Sequence, residues 1–249
     1  MPRNKKLANT AIVGLGALLV AGLGVAAVQD NQVQARNAAA VSTYSPPEHT
    51  VAPAAEGPDT ALFIGDSYTA GAGVSRQADR WSTRVARAQG WDEKNLAAGG
   101  TGYGTSVDAP TSRDACGKGY CPDYAQALEG YVGQSPDVVV VAGGRNDFDM
   151  SPDEFADAVD GVLSSVVETF PKATVYAVSP VWDDDETPEG FDTRVDAVRT
   201  AAEKVDATFV DIGQPLEGKP DLVVEDGVHP NRAGHAALAD AFKSAVRSA

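Results

Sequence analysis

The apolar positions of this chain follow two regimes. Before residue 59 a single long apolar run stands alone. After it, short apolar runs alternate with stretches whose apolar residues recur every three or four positions. Ala61–Ile64 reads as a short strand that ends at Gly65. Gln77–Ala88 places Trp81, Val85 and Ala88 on one helical face, and Asn95-Leu96-Ala97 reads as a second strand. Pro122–Val132 reads as helical. Pro136–Val141 is apolar on both faces, as a central parallel strand requires. Ser151-Pro152-Asp153-Glu154 is a capping box with proline at the first helical position. The helix after it carries Phe155, Val159, Val162, Leu163, Val166 and Phe170 on one stripe. Ala173–Val178 and Thr208–Ile212 read as further strands, separated by a helix lined by Val195, Val198 and Ala202. A last helix carries Leu238, Phe242 and Val246.

Strands that alternate with helices build a parallel sheet covered on both faces. The expected fold class for residues 59–249 is therefore α/β: a flavodoxin-like three-layer α/β/α domain around a five-stranded parallel sheet. Residues 1–35 have a different organisation. Arg3, Lys5 and Lys6 precede Ala11–Val28, a run without a charged residue. This is the pattern of an export signal, here long enough to act instead as an uncleaved membrane anchor. Val33-Gln34-Ala35 offers a cleavage site for the first alternative. In both, the positive flank stays inside and the body ends up extracytoplasmic. Residues 36–58, with Pro46, Pro47, Pro53 and Pro58, read as a disordered linker, and His49 falls in it.

Charge removes whole classes of partner. The net charge is −15; the first 40 residues are net positive, and the rest of the chain carries −18. Such a body is repelled by nucleic acid and by anionic lipid surfaces, so membrane contact is expected only through the N-terminal segment. Two cysteines are too few for a disulfide scaffold or a cysteine-rich zinc site. Cys116 and Cys121, outside the cell, are expected to form a disulfide; two free thiols are the alternative. Asp183-Asp184-Asp185-Glu186 lacks the spacing of a calcium loop and reads as a solvated acidic loop. No metal and no cofactor are expected.

The candidate chemistry sits where predicted strands end. Ligands of open α/β sheets bind outside the carboxyl ends of the strands. Ser67 follows the first strand directly. A serine there is a nucleophile if a base reaches it, and a helix N-cap otherwise. His229 lies in the loop before the last helix, three residues after Asp226, a spacing that lets the carboxylate reach Nδ1 and leaves Nε2 free. His235, inside the helix, reads as a surface or packing residue. Gly99-Gly100 follows the second strand, where a backbone N–H can approach a ligand closely. Asn146, after the third strand, carries an amide that can donate to an oxyanion.

Gly65-Asp66-Ser67, Gly100, Gly144-Arg145-Asn146-Asp147 and Asp226-Gly227-Val228-His229 occur in that order. The set resembles the SGNH, or GDSL, hydrolase superfamily, over residues 59–249. The resemblance implies a Ser67–His229–Asp226 triad and an oxyanion hole from the N–H of Ser67, the N–H of Gly100 and the side chain of Asn146. At the glycine block, Gly99 and Gly102 remain alternatives to Gly100. Tyr68 stands where the superfamily often has leucine, which alters the pocket wall. The α/β-hydrolase elbow is absent, because Thr69 occupies its second glycine position. The expectation is an exported, monomeric serine esterase acting on small-molecule or glycan esters, with acetyl and other short acyl groups first. A lipase or lysophospholipase, an acyltransferase with the same triad, and an inactive glycan-binding module of the cell surface are the alternatives.

Overall fold

A computed structural model describes residues 57–247. The expected signal or anchor (1–35) and nearly all of the expected linker (36–58) lie outside the described residues. The described residues contain the strands β1 Thr60–Gly65, β2 Asp92–Asn95, β3 Val107–Asp108, β4 Tyr120–Cys121, β5 Val138–Ala142, β6 Thr174–Val178 and β7 Thr208–Val210. The α-helices are α1 Ser67–Ala70, α2 Trp81–Gln89, α3 Ser112–Cys116, α4 Tyr124–Glu129, α5 Pro152–Thr169, α6 Phe191–Lys204 and α7 Arg232–Val246.

Five strands form one parallel sheet in the order β2-β1-β5-β6-β7. Alternate residues of β1 and β5 enter two separate cores. Leu62, Ile64, Val139 and Val141 pack with Phe155, Val159, Leu163 and Val198 of α5 and α6. Phe63 and Val140 pack with Trp81, Val85, Leu238 and Phe242 of α2 and α7. The result is the α/β/α sandwich expected from the alternation. The capping box is present, with Ser151 and Glu154 exchanging backbone and side-chain bonds.

The order of strands positions the site. The chain leaves β1 for the edge strand β2, then returns across β1 to lay down β5. The topological switch point therefore lies between β1 and β5. Their register pairs Gly65 with Ala142, so the two strands end level and their following loops rise side by side.

Several sequence expectations shift. The second strand is Asp92–Asn95 rather than Asn95–Ala97. It is an edge strand whose polar side chains hide it from a hydropathy pattern, although Leu96 and Ala98 still donate to Phe63 and Gly65 carbonyls at 2.8 and 3.1 Å. The Gln77–Ala88 helix is broken: a 3-10 turn covers Gln77–Asp79, Arg80 is extended, and α2 begins at Trp81. Ala88 is exposed and Ala86 is buried in its place. In α6 the buried stripe runs through Arg194 and Val198, while Val195 is only half-buried. Pro122–Val132 is helical only over Tyr124–Glu129. The antiparallel β3–β4 hairpin and α3 had no counterpart in the pattern, being too short for any period to show.

His235 is a packing residue, fully buried between the start of α2 and the loop after α1. Its Nδ1 accepts the Trp81 N–H at 3.3 Å, and its Nε2 donates to the Ala72 carbonyl at 3.0 Å. Burial, with Arg84 and Arg80 adding repulsion, holds this imidazole below its ordinary value. It is therefore neutral in the fold, and protonation of the unfolded chain removes stability as pH falls through about 6.5. His235→Ala is expected to cost about 1–3 kcal/mol by orphaning a buried N–H and carbonyl. It should also flatten the stability loss between pH 8 and pH 5. Urea denaturation at both pH values checks this; an unchanged midpoint would contradict it.

Candidate active site

β1 ends in a glycine because nothing larger fits: a Cβ at Gly65 would run into Thr69 Oγ1 and the Ala142 carbonyl. The chain turns at once into α1, whose N-cap is Asp66. The Asp66 carboxylate accepts the Tyr68 N–H at 2.9 Å. Ser67, the first residue of the helix, is left partly exposed at the switch point. Burial pushes Asp66 up to about 6; the Tyr68 N–H and Arg145 lower it, while the charge of Asp147 raises it further.

The loop before α7 arrives over Ser67. His229 Nε2 lies 3.1 Å from Ser67 Oγ, and His229 Nδ1 lies 2.7 Å from Asp226 Oδ2. The other carboxylate oxygen of Asp226 accepts the N–H groups of Val228 and His229 at 2.8 and 2.9 Å. Partial burial alone would raise Asp226, but the bonds from the His229 ring and from these backbone groups prevail and lower it to about 2. An ionised carboxylate at Nδ1 requires the proton there. Nε2 is then an acceptor facing the Ser67 hydroxyl. Tyr68, which the sequence flagged as a departure, donates its hydroxyl to the Val228 carbonyl at 2.5 Å and so ties this loop to the turn beside Ser67.

The three glycines left open by the sequence are now distinguishable. Gly99 N–H donates to Ala115 O at 3.2 Å, and Gly102 N–H donates to Thr105 O at 2.8 Å. Gly100 N–H and Ser67 N–H have no partner among the described residues. Gly100 has a φ of 74°, a backbone region that favours glycine. Asn146 donates one amide N–H to the Thr101 carbonyl at 2.9 Å, which links the two loops and leaves the second N–H unused.

Buried polar residues to which the sequence assigned no role hold these loops. Asp147, fully buried, accepts the N–H groups of Tyr103 and Gly104 and the Thr105 hydroxyl at 2.9, 3.1 and 2.8 Å. Arg194 of α6 donates to the Phe148 and Met150 carbonyls at 3.0 and 2.7 Å, closing the turn after Asn146. Arg145 lies 3.8 Å above the Trp182 ring and pairs with Asp183 at 2.6 Å. Asp183 is 4% exposed, so the expected solvated acidic loop contains one buried, paired carboxylate. Composition could not reveal this, because the partner lies on another strand end. Cys116 and Cys121 form the expected disulfide. Among the described residues no group of three or more His, Cys, Asp or Glu could hold a metal ion, and no helix is long and apolar enough to cross a membrane.

Removing one member of a paired, mostly buried ion pair is costly, because the other charge stays behind. Asp183→Ala is expected to destabilise by about 3 kcal/mol, and the apolar double change Arg145→Met/Asp183→Leu to recover most of it. Chemical denaturation measures both. A loss for Asp183→Ala under about 1 kcal/mol would place the pair with solvent-screened surface pairs.

The model of the GDSL-like lipase/acylhydrolase family matches residues 63–237. A GDSL lipase of Mycobacterium tuberculosis is 30% identical over 189 residues, 71% of this chain and 77% of that protein. Among solved structures, a family 2 carbohydrate esterase with a carbohydrate-binding domain from Corynascus thermopiles (Myceliophthora fergusii) superposes with a TM-score of 0.60 at 24% identity, covering 79% of this chain and 68% of that one. An acetyl xylan esterase from Geobacillus stearothermophilus does so with a TM-score of 0.55 at 22% identity, covering 76% and 95%. At these identities the structures speak for the fold, and the family match rests on the sequence. The chain belongs to the GDSL-like lipase/acylhydrolase family and is a hydrolase of that family.

Proposed function

We propose that this chain is an exported serine esterase that removes acetyl or other short acyl groups from glycans or small molecules. The observation that carries the reading is the His229 imidazole bridging Ser67 Oγ and an ionised Asp226. Ser67 Oγ attacks the ester carbonyl while His229 Nε2 takes its proton. Asp226 holds the Nδ1 proton and stabilises the imidazolium that forms. The carbonyl oxygen, now negative, is met by the two unpartnered N–H groups of Ser67 and Gly100 and by the second amide N–H of Asn146. His229 returns its proton to the departing alcohol. Water, activated by the same imidazole, then releases the acid and restores Ser67.

The substrate class has separate support. The structural neighbours named above are a carbohydrate esterase and an acetyl xylan esterase. The acidic body disfavours anionic lipid surfaces. A lipase reading is favoured by the name of the mycobacterial relative. Export is supported by the basic and apolar N-terminal sequence and by the disulfide.

p-Nitrophenyl esters of increasing chain length test the reading. Turnover should be fastest with acetate or propionate and fall beyond butyrate. Ser67→Ala should abolish turnover and fluorophosphonate labelling without loss of fold. Asp226→Asn should lower kcat by at least about 100-fold, in the sense of the serine-protease template. Labelling retained in Ser67→Ala would refute the nucleophile, and a maximum at long chains would replace the short-acyl reading by the lipase one. In the native host the chain should be recovered outside the cytoplasm, with both cysteines blocked to alkylation until reduced; a cytosolic, reduced chain refutes export.

A further inference from the structure

The segment between β2 and α4 contains α3, the β3–β4 hairpin and the disulfide, and none of these enters the chemistry above. The Gly99–Gly100 turn is seated on two points of it. Gly99 N–H donates to the Ala115 carbonyl at 3.2 Å, and a Cβ at Gly99 would stand 2.5 Å from that same oxygen. A Cβ at Gly100 would stand 2.9 Å from Val107 Cγ2. The turn that carries the Gly100 N–H is thus held by a bond to Ala115 and packed closely against Val107. Ala115 is followed immediately by Cys116. Val107 is the cross-strand partner of Cys121. The disulfide therefore joins the neighbours of the two groups that hold the turn.

We propose that the Cys116–Cys121 disulfide is a positioning brace that aims the Gly100 N–H at the reacting carbonyl oxygen. This rests on the esterase reading above, with Gly100 as an oxyanion donor. The elements it joins are marginal alone: α3 spans five residues, and each strand of the hairpin spans two. Cross-linked, they present Ala115 O and Val107 at a set separation. Opened, the helix end and the hairpin move independently, and the Gly100 N–H loses its direction. A misaimed donor costs transition-state stabilisation while leaving substrate binding nearly intact. The brace therefore acts on kcat rather than KM.

The test compares the oxidised wild type, the same protein reduced with a phosphine, the double variant Cys116→Ser/Cys121→Ser, and Gly99→Ala, in which the disulfide stays closed but the methyl group displaces the turn. Each is assayed with p-nitrophenyl acetate at a temperature where thermal unfolding shows it folded. The reduced enzyme and Gly99→Ala are expected to lose about tenfold in kcat, less than the roughly 100- to 1,000-fold of removing a donor outright, with KM within about twofold. Affinity for an arylboronic acid, a tetrahedral mimic, should fall in parallel with kcat/KM. The double variant, if it folds, should match the reduced enzyme; if it does not, the other two decide. Reduction that leaves kcat unchanged in an active enzyme, or that raises KM alone, overturns the brace and spares the esterase reading. An oxidised wild type that turns over no ester and takes no fluorophosphonate overturns that reading, and the brace falls with it.

Discussion

The parallel pairing of β1 with β5 is the constraint from which the rest of the molecule follows. The chain reverses its direction of travel across the sheet between these two strands, so no helix crosses the crevice above them. Their ladder sets Gly65 opposite Ala142, which makes the strands end level. Two residues later stands Ser67, and four residues after Ala142 stands Asn146. Both residues therefore belong to loops that leave the sheet from level, adjacent strand ends. Both strands are buried on both faces, so a slip of one residue would reverse the allocation of Leu62, Phe63, Val139 and Val140 between the two cores.

Loops above such a crevice are held by polar groups rather than by packing alone. Asp66 and Asp147 are both almost fully buried, and each is satisfied mainly by backbone N–H donors. Asp147 stitches the 102–105 loop to the turn that carries Asn146, and Asn146 in turn bonds the Thr101 carbonyl. The β2 and β5 loops are therefore joined, and Asn95 Nδ2, which donates to the Thr69 carbonyl at 2.9 Å, ties the turn after β1 to the end of β2. The loop of Asp226 and His229 joins them through Tyr68 and through the Ser67–His229 contact. Arrangements of this kind fix donors before a substrate arrives, which is the condition for strong electrostatic stabilisation of a transition state.

What the sequence could reveal follows from range. Central strands and long helices repeat a pattern over enough residues to declare themselves, as Val138–Val141 and the Phe155–Val166 stripe do. Ser67, Asn146 and His229 could be singled out only as an ordered set that resembles the SGNH superfamily, since each alone also reads as ordinary cap, turn or loop chemistry. The edge strand Asp92–Asn95 was not legible, since a strand paired on one side tolerates charge. The choice among Gly99, Gly100 and Gly102 was not, since it depends on which N–H groups are already engaged, and their partners Ala115 and Thr105 are set by the fold. Asp183 looked solvated among Asp184, Asp185 and Glu186, because the cation that buries it, Arg145, lies 38 residues earlier in the chain.

The proposed mechanism requires one hydroxyl, one imidazole and three N–H donors to meet at a single carbonyl position above the switch point. The most direct measurement is a crystal structure of the protein inactivated by a short alkyl phosphonate. A covalent bond from Ser67 Oγ to phosphorus is expected. The phosphonyl oxygen is expected within about 2.7–3.1 Å of the Ser67 N, Gly100 N and Asn146 Nδ2 atoms together. A phosphonate attached elsewhere, or one on Ser67 with its oxygen turned away from Gly100 and Asn146, would contradict the proposed mechanism.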